Sequence, residues 1–128
     1  MSIDQSIQQY AEGFFDEAAD LLANAEQLLL ALDPAAPDAE DVNAIFRCAH
    51  SIKGGAGTFG FTALMETTHL LESHLDRARN GQLAWTPEIV NVFLQTKDHL
   101  QEQLRAYRAE EEPDAQAVAA ICETLRDL

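Results

Sequence analysis

Ile7, Phe14, Leu21 and Leu28 stand seven residues apart, with Ala11, Ala18, Ala25 and Leu32 alongside them. A period of seven returns to one side of an α-helix, whereas a strand alternates its faces every second residue. The spacing predicts a long amphipathic helix over about residues 3–32, roughly 40 Å at 1.5 Å per residue. Its stripe is read as bundle core, with Asp16, Glu17 and Asp20 on the wet side.

Asp33-Pro34-Ala35-Ala36-Pro37 ends this helix, because proline cannot continue one and restrains the residue before it. Asp38 then caps a second helix, expected over about 38–56, with Glu40 and Asp41 in its first turn. Val42, Ile45, Phe46 and Ala49 carry its apolar stripe. Phe59 and Phe61, on either side of Gly60, fix the turn to the core. A third helix follows over about 62–80, stopped by Asn80-Gly81, with Leu64, Thr68, Leu71 and Leu75 buried. Met65, His69 and Glu72 form an adjacent line on it. Thr86-Pro87 opens a fourth helix over about 87–109, with Ile89, Val90, Phe93, Leu100, Leu104 and Tyr107 on its apolar face. After Glu110-Glu111-Glu112-Pro113-Asp114, the residues Val118, Ile121, Cys122 and Leu125 mark a short fifth helix over about 114–127. No strand-like alternation interrupts the pattern. The expected fold is all-α: an up-and-down four-helix bundle with an additional short C-terminal helix, as one domain over 1–128.

The 22 acids against 8 bases, a formal charge of −14, leave no basic patch for nucleic acid or anionic lipid. Cys48 and Cys122 match no zinc or redox spacing and read as buried free thiols of a reducing compartment. No apolar run approaches membrane-spanning length, and Met1 to Gln9 does not read as a signal peptide. A cytoplasmic chain without membrane insertion is expected.

Chemistry concentrates in residues 49–61, where four of the six glycines follow His50 and Lys53 within seven residues. On a helix, Lys53, Gly54 and Gly57 return to the side of His50. Glycine costs roughly 1 kcal/mol per helix position relative to alanine, so the cluster needs a reason. One reason is access of a large partner to the imidazole across the bare surface of Gly54 and Gly57. The other is helix termination and close packing of a neighbour.

Gly55-Ala56-Gly57-Thr58-Phe59-Gly60 matches G-x-G-x-x-G, but it follows a helix, and no βαβ unit can be built around it. Lys53 precedes the glycines, so a Walker A loop is excluded as well. No cofactor site is expected here; a phosphoryl group would have to come from ATP on another domain. His50, His69, His74 and His99 raise a metal site, yet the Glu-x-x-His pairs of di-iron bundles are absent and no metal is expected. His74 and His99 read as partly exposed surface residues without a role. Ser51 points about 100° away from His50 and cannot pair with it as nucleophile and base.

What remains is the histidine as nucleophile. A neutral imidazole attacks phosphorus when one nitrogen is free and the other is held by an acceptor. A carboxylate such as Glu72 suits that role, with a cross-helix pair of His50 and either Glu72 or His69 open from spacing alone. Lys53 would offset charge on the phosphoryl oxygens. Two rival readings stay open on these residues: a binding module that docks a partner through the glycine face without being phosphorylated, and a metal-binding bundle.

The segment Ile45 to Phe61, with its His-Ser-Ile-Lys-Gly-Gly core, resembles the histidine phosphotransfer (HPt) domains at the N-terminus of CheA-type chemotaxis histidine kinases. The likeness extends to Phe14-Phe15-Asp16-Glu17-Ala18, Glu66-Thr67-Thr68-His69-Leu70, Thr96-Lys97-Asp98 and Glu112-Pro113-Asp114-Ala115. Cys48 stands where the pattern leads one to expect alanine, small and apolar either way. The resemblance implies that His50 on the second helix is phosphorylated, that Glu72 hydrogen-bonds its imidazole, and that Lys53 and His69 support them. It implies a separate CheA kinase catalytic domain using ATP with Mg, and onward transfer to an aspartate of response regulators of CheY or CheB type. It implies no ATP-binding or kinase core in this chain, which by itself is expected to be a monomer.

Overall fold

The computed structural model describes residues 3–128, with side-chain surroundings from Gln8 onward. Five helices follow one another: α1 (Ile3–Ala31), α2 (Ala39–Phe59), α3 (Thr62–Arg79), α4 (Pro87–Arg108) and α5 (Ala115–Arg126). No strand is present among the described residues. Contacts join α1 to α2, α2 to α3, α3 to α4 and α4 back to α1, which closes an up-and-down bundle; α5 packs against α3 and α4. Among the described residues, no helix is long and apolar enough to cross a membrane.

The local signals explain the boundaries. Asp38 accepts hydrogen bonds from the backbone N–H groups of Glu40 and Asp41 at 2.8 and 3.2 Å, a capped start for α2. Thr86 caps α4 through the Ile89 N–H at 3.1 Å, with Pro87 at the first helical position. The α2 helix runs to Phe59, past the expected stop near residue 56, through all but one of the clustered glycines. Only Gly60 adopts a left-handed conformation there, φ 72°, and it ends the helix with its N–H turned onto the Ala56 and Gly57 carbonyls. The Phe61 N–H returns to Ala56 O at 2.9 Å, and α3 starts at the next residue. This tight turn is held by an aromatic cluster in which Phe61 stacks on Tyr107 of α4 at 4.4 Å and on Phe15 of α1 at 5.5 Å.

In α1, the heptad column assigned to the core is shifted by one residue. Phe15, Leu22 and Leu29, with Ala11, Ala18, Ala25 and Leu32, are buried, whereas Phe14, Leu21 and Leu28 are half-buried at its edge. Two apolar columns run side by side along this helix, and a period of seven cannot say which faces the bundle axis. The surroundings of Ile7 lie outside the described residues. Phe14 instead turns toward α2, where an added Cβ on Gly55 would sit 2.3 Å from its ring. Gly55 therefore permits close helix approach, while Gly54 and Gly57 face outward. Both Cys48 and Cys122 are buried free thiols.

His74 does not lie on the surface as its sequence context implied. It is buried at the interface of α3 with α5. Its Nε2–H donates to the Leu125 carbonyl, and its Nδ1 accepts from Arg77 at 2.9 Å, a neutral tautomer fixed on both sides. The apolar period of α3 marks only its face toward the four-helix core, and α5 covers the side on which His74 stands. Thr67, on the same side, donates to Ala63 O and accepts from Gln103 Nε2 at 3.0 Å. Burial pushes the His74 imidazole below its ordinary pKa; the Leu125 carbonyl opposes this and Arg77 adds to it. The unfolded chain thus takes up a proton that the folded protein refuses once pH falls through about 6.5, so stability present above that value is lost below it. The melting temperature is expected to drop more in the wild type than in His74→Gln between about pH 7.5 and about pH 5.5. Equal losses would show that His74 does not couple α5 docking to pH.

Candidate functional site

The short turn at Gly60 makes α2 and α3 an antiparallel hairpin, so residues about equally far from it meet across the pair. His50, ten residues before Gly60, faces Glu72, twelve after it. His50 Nδ1 lies 3.1 Å from Glu72 Oε1, and Lys53 Nζ lies 2.8 Å from Oε2. The Lys53 contact is a close ionic one, off the direction of a hydrogen bond, which leaves Oε2 without an aligned donor. The sequence had left the partner of His50 open between Glu72 and His69; the structure brings Glu72 to it. His69 is exposed on α3, and no hydrogen bond joins its side chain to His50, Lys53 or Glu72.

Burial works against the Glu72 charge, but the Lys53 ammonium and the His50 N–H outweigh it and hold the carboxyl below its usual range. Glu72 is therefore a carboxylate at neutral pH, able only to accept, and the proton of a neutral His50 belongs on Nδ1. The lone pair is then on Nε2. The His50 side chain is 63% exposed and that of Glu72 only 15%. The acceptor is set into the bundle and the reactive nitrogen is offered to solvent.

A second contact orients the ring. Phe46, four residues before His50 on α2, lies nearly parallel to the imidazole, 11° between planes at 6.1 Å. The Arg79 guanidinium covers Phe46 at 3.9 Å from the ring centre, itself held by Asp76 at 2.8 Å. Sequence reasoning placed Phe46 in the core stripe; it is half-buried, and its i, i+4 relation to His50 was the signal that would have found it.

Beyond His50 the surface is low. Nothing lies within 4 Å of an added Cβ at Gly54, and at Gly57 only the tip of Met65 does, at 3.8 Å. Met65 is itself an exposed apolar side chain. The Gly55–Gly60 stretch belongs to the last turns of α2 and its cap, and no strand precedes it. Taken together, the site can present one imidazole nitrogen, with its tautomer fixed, to a reactant carried by a large partner.

Residues 9–110 match the family described as the Hpt domain. The whole chain is 59% identical to the chemotaxis protein CheA of Salmonella typhimurium, of which it covers 19%. It is 37% identical over 98 residues to CheA of Bacillus subtilis, covering 77% of this chain and 15% of that one. The chain thus spans less than one fifth of the length of these relatives. In fold it is similar to the phosphorylated P1 domain of CheA3 from R. sphaeroides, solved in complex with CheY6: TM-score 0.85 at 26% identity, covering 94% of each chain.

Proposed function

The chain belongs to the Hpt domain family, and from that premise we propose that it is the phosphoryl carrier of a CheA-type chemotaxis kinase, with His50 as the accepting residue. The observation that carries the proposal is the Nδ1 contact to a partly buried carboxylate, which leaves Nε2 unprotonated and exposed. In the first transfer, the Nε2 lone pair forms a bond to the γ-phosphorus of ATP held with Mg by a separate kinase domain. The bond from phosphorus to the bridging oxygen breaks, and ADP leaves with that electron pair. The ring becomes cationic and keeps its Nδ1–H, whose hydrogen bond to Glu72 strengthens as the charge develops. In the second transfer, a carboxylate oxygen of a response regulator of CheY or CheB type attacks the phosphorus. The P–N bond breaks, and its electrons restore the neutral imidazole.

In this reading Glu72 orients and stabilises the ring, and Lys53 keeps Glu72 ionised and stands near the incoming phosphoryl oxygens. His69, exposed one turn away on α3, supports the field of the site without touching the ring. The chain supplies the nucleophile and leaves the ATP site to another domain, so it performs its half of the reaction only with partners. It acts in the cytoplasm, where its two thiols stay reduced, and is a monomer when separated from the rest of the kinase. The similarity to a P1 domain solved with CheY6 supports the regulator as second partner.

Two experiments test the proposal. Incubation with ATP and a CheA-type kinase core lacking its own phosphotransfer domain is expected to label the chain with an acid-labile, base-stable phosphoryl group. The opposite lability would place the label on Ser51, a threonine or an aspartate. Gly54→Val is expected to leave the fold intact, since its side chain meets open space, and to slow transfer with both partners about tenfold by keeping them from the ring. Unchanged kinetics would remove the access role of the glycine face.

A further inference from the structure

From Val42 to Phe59, α2 carries no carboxylate, although acids outnumber bases 22 to 8 in the chain. The cations on this stretch are Arg47 and Lys53. Lys53 is engaged with Glu72. Arg79, Lys97, Arg105, Arg108 and Arg126 each reach a carboxylate, and Arg77 reaches the His74 ring. Arg47 alone, among the described residues, makes no ion pair or side-chain hydrogen bond, and it is exposed.

Its position gives this a use. Arg47 precedes His50 by three residues, so the two are neighbours on the helix surface, with Cβ atoms about 5–6 Å apart. Helical side chains lean toward the N-terminus, which carries the His50 ring back over the turn that holds Arg47. The stacking of His50 on Phe46 is that lean made visible. A phosphoryl group on Nε2 brings close to two negative charges onto a protein whose formal charge is already −14. Lys53, held by Glu72, offsets phosphoryl charge through its field alone, whereas a guanidinium offers paired donors that match two phosphoryl oxygens.

We propose that Arg47 is the phosphoryl-binding residue of the phosphorylated state, its guanidinium donating to oxygens of the group on His50 Nε2. This rests on the reading of His50 as the carrier. Arg47 holds the group at the end of the first transfer and presents it at the start of the second, while Glu72 holds the ring.

The test compares wild type, Arg47→Gln and Arg47→Lys, each labelled with ATP and the kinase core for long enough to reach a plateau. Phosphorus NMR then follows titration of the phosphohistidine group. In Arg47→Gln the midpoint is expected to rise by about 1 pH unit, because the dianion loses its neighbouring cation, and Arg47→Lys is expected to recover part of that shift. The labelling rate of Arg47→Gln is expected to fall about tenfold. A merely structural arginine would not move the titration. Identical titrations in all three proteins, with wild type labelled normally, overturn this proposal and leave the carrier reading standing. An unchanged titration with weaker binding of the regulator overturns it as well and makes Arg47 a reader of the partner surface. Failure of wild type to take acid-labile label removes the carrier reading and this proposal with it.

Discussion

His50→Gln is expected to take no acid-labile phosphoryl group from a kinase core that labels the wild type, and to melt within a few degrees of it. The loss is complete because glutamine has no nitrogen lone pair available for attack. Stability changes little because the imidazole is largely exposed and its pair with Glu72 opens to solvent on the His50 side, where such pairs contribute about 0–1 kcal/mol. Filter-bound label after ATP incubation, beside a thermal melt, measures both. Retained acid-labile label on the variant would mean that another residue accepts the group.

Glu72→Ala has the second-largest expected effect, a fall in the labelling rate on the order of 10²-fold with the helical content unchanged. Three losses act together. The tautomer is no longer held, so Nδ1 and Nε2 compete for the proton. The charge developing on the ring loses its acceptor, and the Lys53 ammonium loses the carboxylate that positions it. Glu72→Gln separates these terms, since its carbonyl still accepts from Nδ1 but carries no charge, and an intermediate rate is expected. The pH dependence follows from the lowered carboxyl pKa. The stability this carboxylate contributes is present above its ordinary value and is lost as pH falls through the lowered folded value. An Ala variant that is labelled as fast as the wild type would take Glu72 out of the site.

How much of this could be read from the residues depends on how local the signal was. The caps at Asp38 and Thr86 are short-range, and their hydrogen bonds lie where the sequence placed them. The pairing of His50 with Glu72 was reachable because the Gly60 turn is too short for α2 and α3 to do anything but pack side by side. The end of α2 was harder. Several glycines in succession argue for a stop, yet the helix continues because Gly55 lets the ring of Phe14 press against the backbone, and the gain in packing outweighs the propensity cost. His74 and Phe46 were misplaced for a different reason. Each sits where a neighbour from elsewhere in the chain decides its surroundings: α5 for His74, Arg79 for Phe46. Periodicity within one helix carries no information about such neighbours. The phase error along α1 has the same origin, since two apolar columns compete and only the positions of α2 and α4 choose between them.

In the proposed function, Glu72 keeps Nδ1 protonated so that Nε2 accepts the phosphoryl group. Nitrogen-15 NMR of the imidazole in phosphorylated protein tests it most directly, through coupling of phosphorus to one ring nitrogen and of hydrogen to the other. Phosphorus on Nε2 of His50, with the proton retained on Nδ1, is the predicted result. Phosphorus on Nδ1 would contradict it, because that nitrogen would first have to leave Glu72, and the geometry of the site would then have another purpose.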